Sequence, residues 1–216
     1  IALVFALGFY LNRKKLAWII MGVMTAGYLC LLVPTMILEQ NGNPMITQMG
    51  VTQPGGSMEG KEARFGSVLS SMWCITTTVT SNGSVNAMHD SLNPVAGLTA
   101  VSGMLINGVW GGIGCGLVNF LVYLLVTVFL SGLMIGRSPE IYGRKLEVGE
   151  IRLLSVLVLL QPVILLAATA VTLSIPSITG NSNPGFHGVS QVFYEFSSAF
   201  ANNGSGFEGL GDATKW

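Results

Sequence analysis

The sequence predicts an all-α membrane protein built from parallel repeats of transmembrane helix, pore helix, filter loop and transmembrane helix. Three observations carry that reading: the scarcity of charge, three uncharged apolar runs of spanning length, and two Asn-Gly-Ser loops at matching places in the pattern. Half of the 216 residues are hydrophobic and only 9% are charged, against about 25% charged in ordinary soluble domains. So few charges do not cover a water-facing surface, and a lipid bilayer is the natural solvent. The formal net charge is zero, which gives no basis for nucleic-acid binding. Cys30, Cys74 and Cys115 are scattered through apolar stretches, resemble neither a disulfide framework nor a metal site, and are expected to be small buried apolar residues.

The apolar runs are 16–38, 117–136 and 153–175. Each reaches the roughly 20 residues that a span requires, and each must be helical because lipid offers no partner to open backbone groups. Pro34 and Pro162 fall inside two of them and are expected to kink their helices. Residues 1–11 read as the tail of an earlier span. The chain begins at Ile1 without Met or a signal-peptide pattern and stops at Trp216 just after a loop motif, so it reads as an internal piece of a longer protein.

Charge sets the expected orientation. Arg13-Lys14-Lys15 precede the first full span, and Arg137, Arg144, Lys145 and Arg152 lie between the second and third. Short loops rich in Lys and Arg stay cytoplasmic. Segments 39–64 and 179–188, rich in Gly, Pro, Asn and Ser, then lie outside. Two further segments, 65–80 and 189–201, are apolar but too short to cross, and each runs into an Asn-Gly-Ser loop. A segment that enters and leaves on one side is re-entrant, and such backbone survives at membrane depth only inside protein or a water-filled cavity. Segment 95–106 is a third short apolar stretch, expected to turn back and pack near the outer surface. Gly111-Gly112-Ile113-Gly114-Cys115-Gly116 is not a nucleotide fingerprint and reads as close helix packing by small residues.

The two short segments superpose at an offset of 203 − 82 = 121 positions. Phe65 then meets Phe186, Val68 meets Val189, Trp73 meets Tyr194, Thr76-Thr77 meets Ser197-Ser198, and Gly83-Ser84 meets Gly204-Ser205. Two full spans separate the loops, so both enter from the same side. The plan is a preceding span end and cytoplasmic loop over 1–15, a complete repeat over 16–136, a cytoplasmic loop over 137–152, and a second repeat over 153–216 that lacks its closing span.

Those loops have the makings of a cation site. An ion crossing a membrane exchanges its water shell for fixed oxygens, and rings of backbone carbonyls supply them in selectivity filters. The local needs are a short helix and then a residue free to take positive φ, which Gly83 and Gly204 meet. The C-terminal end of each preceding helix carries a partial negative charge. The hydroxyls of Thr76, Thr77, Thr78, Thr80, Ser197 and Ser198 either tether the loops or line them, and uncharged oxygens suit a monovalent ion that must also leave. A lone Asn-Gly would be a turn, but two copies after matching helices on one side argue for a shared task. Both copies also fit the glycosylation sequon, which needs a surface loop. Glu195, an acid at membrane depth, either adds negative potential or makes a structural hydrogen bond behind the loop. His89-Asp90 is read as a helix cap and loop brace rather than a catalytic pair, since no nucleophile accompanies it. Glu39, Glu208 and Asp212 are solvated charges or an attractive outer mouth.

The stretch Met58-Glu59-Gly60-Lys61-Glu62-Ala63-Arg64-Phe65-Gly66 resembles a signature of the potassium-binding A subunit of Kdp-type potassium-transporting ATPases. So do the run from Thr80-Ser81-Asn82-Gly83-Ser84 to His89-Asp90-Ser91-Leu92-Asn93-Pro94, the run from Gly132-Leu133-Met134 to Ile141-Tyr142-Gly143, and Asn202-Asn203-Gly204-Ser205-Gly206-Phe207. The resemblance covers nearly the whole chain. It implies four repeats around one pseudo-fourfold filter, of which this piece, from the C-terminal half, supplies the third and fourth loops. Thr80, Ser81, Asn82, Gly83 and Ser84, with Asn202, Asn203, Gly204 and Ser205, are then filter positions whose carbonyls bind K+, the transported ion. Thr76, Thr77, Ser197, Ser198 and Glu195 are supporting residues, and residues 92–107 correspond to a region that blocks the direct inward path.

The resemblance further implies a multi-pass protein of the bacterial inner membrane, with filter loops facing outside. A P-type ATPase catalytic subunit and a small single-span stabilising subunit, with a further tiny one, are the implied partners. No Walker motif or DKTG motif occurs in the chain, so it is expected to bind no ATP and to be a non-catalytic transport subunit. A Trk- or Ktr-type potassium transporter is the nearest rival reading. A membrane-embedded enzyme lacks clustered acids or metal ligands here, and a non-transporting assembly subunit would not need two matched loops.

Overall fold

The computed structural model describes residues 1–141, 143–175, 179–183 and 185–210. Helix α1 (Ala2–Tyr10) turns at Asn12 into α2 (Lys14–Gln40), followed by the short α3 (Pro44–Gln48) and a long loop to α4 (Gly66–Thr80). A 3-10 turn (His89–Ser91) precedes α5 (Pro94–Ile106) and α6 (Cys115–Ile135). A two-stranded hairpin of β1 (Glu140–Ile141) and β2 (Arg144–Lys145) connects to α7 (Val148–Leu173), and α8 (Phe186–Phe200) completes the described elements.

Helices α2, α6 and α7 are long and apolar enough to cross a membrane. At 27, 21 and 26 residues and 1.5 Å per residue they reach about 40, 32 and 39 Å, against a hydrocarbon core of about 30 Å. Helices α4, α5 and α8, at 15, 13 and 15 residues, reach only about 20 Å and fall short. These are the three expected runs and three expected short segments. Helices α2 and α7 begin ahead of the uncharged runs because Lys14, Lys15 and Glu150 sit in their first turns, and α7 opens on a capping box in which Glu147 and Glu150 each accept the other's backbone N–H. Pro34 and Pro162 lie inside α2 and α7.

The core lies where the short helices meet α2. Cys74, Ile75 and Val79 of α4, Ala96, Ala100 and Met104 of α5, and Tyr194 of α8 are fully buried there. By contrast α6 buries only Gly116 within the described chain, and apolar side chains such as Leu130, Leu153 and Leu157 are exposed. Such faces are stable against lipid or further protein, not water. The glycine-rich stretch forms a tight loop ahead of α6 rather than a helix-packing face: a Cβ on Gly116 would collide with the Trp110 carbonyl, and Gly111 donates its N–H to the Val79 carbonyl at 2.8 Å.

Three further expectations are corrected. Cys30 and Cys115 are exposed, and only Cys74 is buried; α2 and α6 are apolar around their whole circumference, so hydrophobicity does not select a face. Glu39 is neither solvated nor at an outer mouth. Its side chain is fully buried, paired at 2.8 Å with the equally buried Lys61, while Oε1 accepts the Asn93 N–H at 2.7 Å. The hairpin is a small departure from a purely helical chain.

Candidate ion-binding site

Helix α4 stops because Ser81 turns left-handed, at φ 52° and ψ 48°. Asn202, at the offset of 121, has the same φ of 52°, and Gly83 and Gly204 follow at 74° and 95°. Each Asn then closes a turn on the Ser two residues on. Asn82 Oδ1 accepts from Ser84 N at 2.9 Å and Ser84 Oγ at 3.0 Å. Asn203 Oδ1 accepts from Ser205 N at 3.0 Å and Ser205 Oγ at 2.6 Å. Asn82 N reaches the Thr77 carbonyl at 3.4 Å and Asn203 N the Ser198 carbonyl at 2.8 Å. The aromatic of each helix ties the same serine: Trp73 Nε1 donates to the Ser84 carbonyl at 3.2 Å, and Tyr194 bonds Ser205 Oγ at 2.9 Å. The two loops thus have one conformation, held by bonds at equivalent positions.

The loops also meet. A Cβ on Gly83 would collide with the Asn203 carbonyl oxygen and come within 3.1 Å of the Gly204 Cα. Asn203 Nδ2 donates to the Thr77 carbonyl at 2.8 Å. The side-chain hydroxyls sort into two groups. Thr77 Oγ1 donates to Asn82 Oδ1 at 2.6 Å and Ser198 Oγ accepts from Gly204 N at 3.1 Å, so these two tether loops. Thr76, Thr80 and Ser197 instead donate to carbonyls four residues back in or beside their own helices. With the Asn and Ser side chains spent on the turns, the carbonyls of Ser81, Asn82, Gly83, Asn202, Asn203 and Gly204 remain; among the described residues none receives a hydrogen bond. Neutral carbonyls at a helix C-terminus are the type of ligand that a dehydrated monovalent cation accepts.

The surroundings brace this arrangement. Asp90 Oδ1 accepts from His187 Nε2 at 2.7 Å and Gln191 Nε2 at 2.8 Å, and Oδ2 from Asn183 at 3.1 Å. His89 Nδ1 bonds Tyr194 at 2.9 Å, and its backbone N–H donates to Glu208 Oε2 at 2.7 Å. The His89-Asp90 pair is therefore a brace between the segment after the first loop and helix α8. Glu195 Oε1 accepts the Phe207 N–H at 3.1 Å, a structural hydrogen bond behind the second loop. Burial, reinforced by Lys61, holds the His89 imidazole down to about 4, so it is neutral at physiological pH. Burial also lifts the Glu208 carboxyl to about 7, aided by Glu195 and Asp90 and opposed by the His89 N–H. Asp212 lies outside the described residues.

Sequence reasoning missed Lys61, Tyr194 and the Asn203 amide. Tyr194 was visible only as the partner of Trp73 at the 121 offset, and Lys61 had no signal beyond its place in a motif-like run.

Helical, with three helices able to span a bilayer and two matched short-helix loops joined at their tips, the chain falls in the class of membrane proteins. The family model described as potassium-transporting ATPase A subunit, KdpA, matches residues 1–216, and the chain belongs to that family. It is 50% identical over 98% of its length to a Flavobacterium johnsoniae protein, covering 39% of that protein. It is 48% identical to proteins of Phocaeicola vulgatus and Gloeobacter violaceus, over 99% and 100% of its length and 39% and 37% of theirs. All three relatives are named potassium-transporting ATPase potassium-binding subunit. The chain spans about two fifths of the length of these curated relatives.

Proposed function

We propose that this chain supplies two of the loops with which a potassium-binding subunit strips and coordinates K+ for an ATP-driven uptake pump. The carrying observation is that two loops 121 residues apart adopt one conformation, meet at Gly83 and Asn203, and keep the carbonyls of residues 81–83 and 202–204 out of hydrogen bonds with the described residues. On this reading α4 and α8 are pore helices, 16–136 is one complete repeat, 153–216 begins the next, and 1–15 and 137–152 are cytoplasmic. Thr80 to Ser84 and Asn202 to Ser205 are the filter segments, with backbone carbonyls as ligands. Thr77, Ser198 and Glu195 support them by tethering the loops.

Orientation follows from charge. Leu11 and Leu16, flanking Arg13-Lys14-Lys15, line one cavity with Ile141 of the hairpin, so both basic segments sit at one end of the molecule. The positive-inside rule makes that end cytoplasmic and the filter loops external, in a bacterial inner membrane. The names of the relatives support a larger assembly, in which a P-type ATPase catalytic subunit hydrolyses ATP and a small single-span subunit stabilises the complex, this chain taking no part in hydrolysis. The test is a K+ titration of ATPase activity in the assembled complex carrying Gly83→Asp or Gly204→Asp in the full-length subunit. Half-saturating K+ rises at least about tenfold, equivalent to about 1.4 kcal/mol; a curve superposing on the wild type at equal assembly overturns the reading.

A further inference from the structure

Helix α8 and the segment after the first loop share a buried chain of hydrogen bonds whose direction follows from valence alone. Asn203 Oδ1 accepts from Ser205 N, and Asn203 Nδ2 donates to the Thr77 carbonyl. An N–H only donates and a carbonyl only accepts, so these two backbone groups fix the orientation of the Asn203 amide. Ser205 Oγ lies 2.6 Å from Asn203 Oδ1, and its one hydrogen must go there. The Tyr194 hydroxyl, 2.9 Å from Ser205 Oγ, must then donate to the serine oxygen. With that hydrogen spent, the 2.9 Å contact between Tyr194 and His89 Nδ1 requires the hydrogen to sit on Nδ1.

From this we infer that His89 is a positioning residue for the cation loops. It acts as a neutral Nδ1–H donor that polarises Tyr194, Ser205 and Asn203 in one direction and so holds the Asn203 amide on the Thr77 carbonyl of the other loop. The chain runs from the flank of the first loop through α8 into the second loop and back to the foot of the first. His89 and Tyr194 are 1% and 0% exposed, so water does not compete for these bonds. Nε2 has no partner among the described residues, which leaves Nδ1 as the nitrogen that does the positioning. The Thr77 carbonyl, capped by Asn203, is withdrawn from the ion, and the Asn203 carbonyl is held against Gly83. The role rests on the loops being a filter, and it predicts that the donor at the Nδ1 position, rather than the bulk of the ring, tunes the site.

The experiment uses the assembled complex containing the full-length subunit and reads ATPase stimulation by K+ and by Rb+. An asparagine side chain can place its amide nitrogen near the histidine Nδ1, whereas glutamine places its own near Nε2. Tyr194→Phe and His89→Gln are expected to raise half-saturating K+ about tenfold, the worth of one or two buried hydrogen bonds, and to narrow the preference for K+ over Rb+. His89→Asn retains most of both properties, and Tyr194→Phe combined with His89→Gln is no worse than Tyr194→Phe alone. Gly83→Asp is the control. If it weakens K+ stimulation while Tyr194→Phe does not, the positioning role is overturned and the filter stands. If His89→Asn is as impaired as His89→Gln, the donor role is likewise overturned. If Gly83→Asp also has no effect, the filter reading fails and the positioning role falls with it.

Discussion

The Glu39–Lys61 pair joins three parts of the fold, and breaking it is expected to be costly. Glu39 closes α2, its Oε1 holds the first N–H before α5 through Asn93, and its backbone carbonyl accepts Ser57 N at 2.7 Å. Lys61 comes from the loop ahead of α4, and both side chains are fully buried at 2.8 Å. Lys61→Met leaves the carboxylate with Asn93 alone, and Glu39→Gln leaves the ammonium with the Glu59 carbonyl at 3.3 Å. Removing one partner of a buried pair costs about 3–5 kcal/mol, which corresponds to a fall in Tm on the order of 10 °C. The double variant Glu39→Gln with Lys61→Met keeps an acceptor for Asn93 and buries no charge, so it loses only about 1–3 kcal/mol. Thermal unfolding of the detergent-solubilised full-length subunit reads all three. Single variants within about 1 kcal/mol of wild type, or a double variant equal to the sum of the singles, would refute the reasoning.

The loop contact predicts an asymmetry between its glycines. Gly83→Ala drives a Cβ into the Asn203 carbonyl, while a Cβ on Gly204 finds nothing nearer than the Gly83 Cα at 3.8 Å; K+-stimulated ATPase is therefore lost more fully with Gly83→Ala, and equal effects would contradict the contact. Glu208 predicts a pH term. Its carboxyl is raised from 4.5 to about 7, so the folded state holds the proton more tightly, and the Glu208 contribution to stability is greatest below about 4.5 and declines as pH rises through 7. Glu208→Gln should remove that component from the pH dependence of Tm, and an unchanged profile would exclude it.

Much of this architecture was legible because lipid imposes a simple rule. Uninterrupted apolar runs of about 20 residues have to become helices, and α2, α6 and α7 did. The short helices were legible from their length, and the loops from Asn-Gly-Ser recurring at 121. What could not be read depends on pairings across the fold. Glu39 and Lys61 look like solvated loop charges until α2 and the loop before α4 are packed together. Cys30 and Cys115 sit on helices with no polar face to give their direction. The bond between His89 and Tyr194 joins residues whose sequence surroundings say nothing of each other, and strands of two residues, as in the hairpin, are too short to show alternation.

The central claim is that the backbone of the two Asn-Gly-Ser loops holds the ion. Thallium, a potassium mimic with a strong anomalous signal, locates it directly in crystals of the full-length subunit in its complex. An anomalous peak bounded by the carbonyls of residues 81–83 and 202–204, absent in Gly83→Asp, is the expected result. Strong peaks elsewhere in the subunit, with none at these loops, would contradict it.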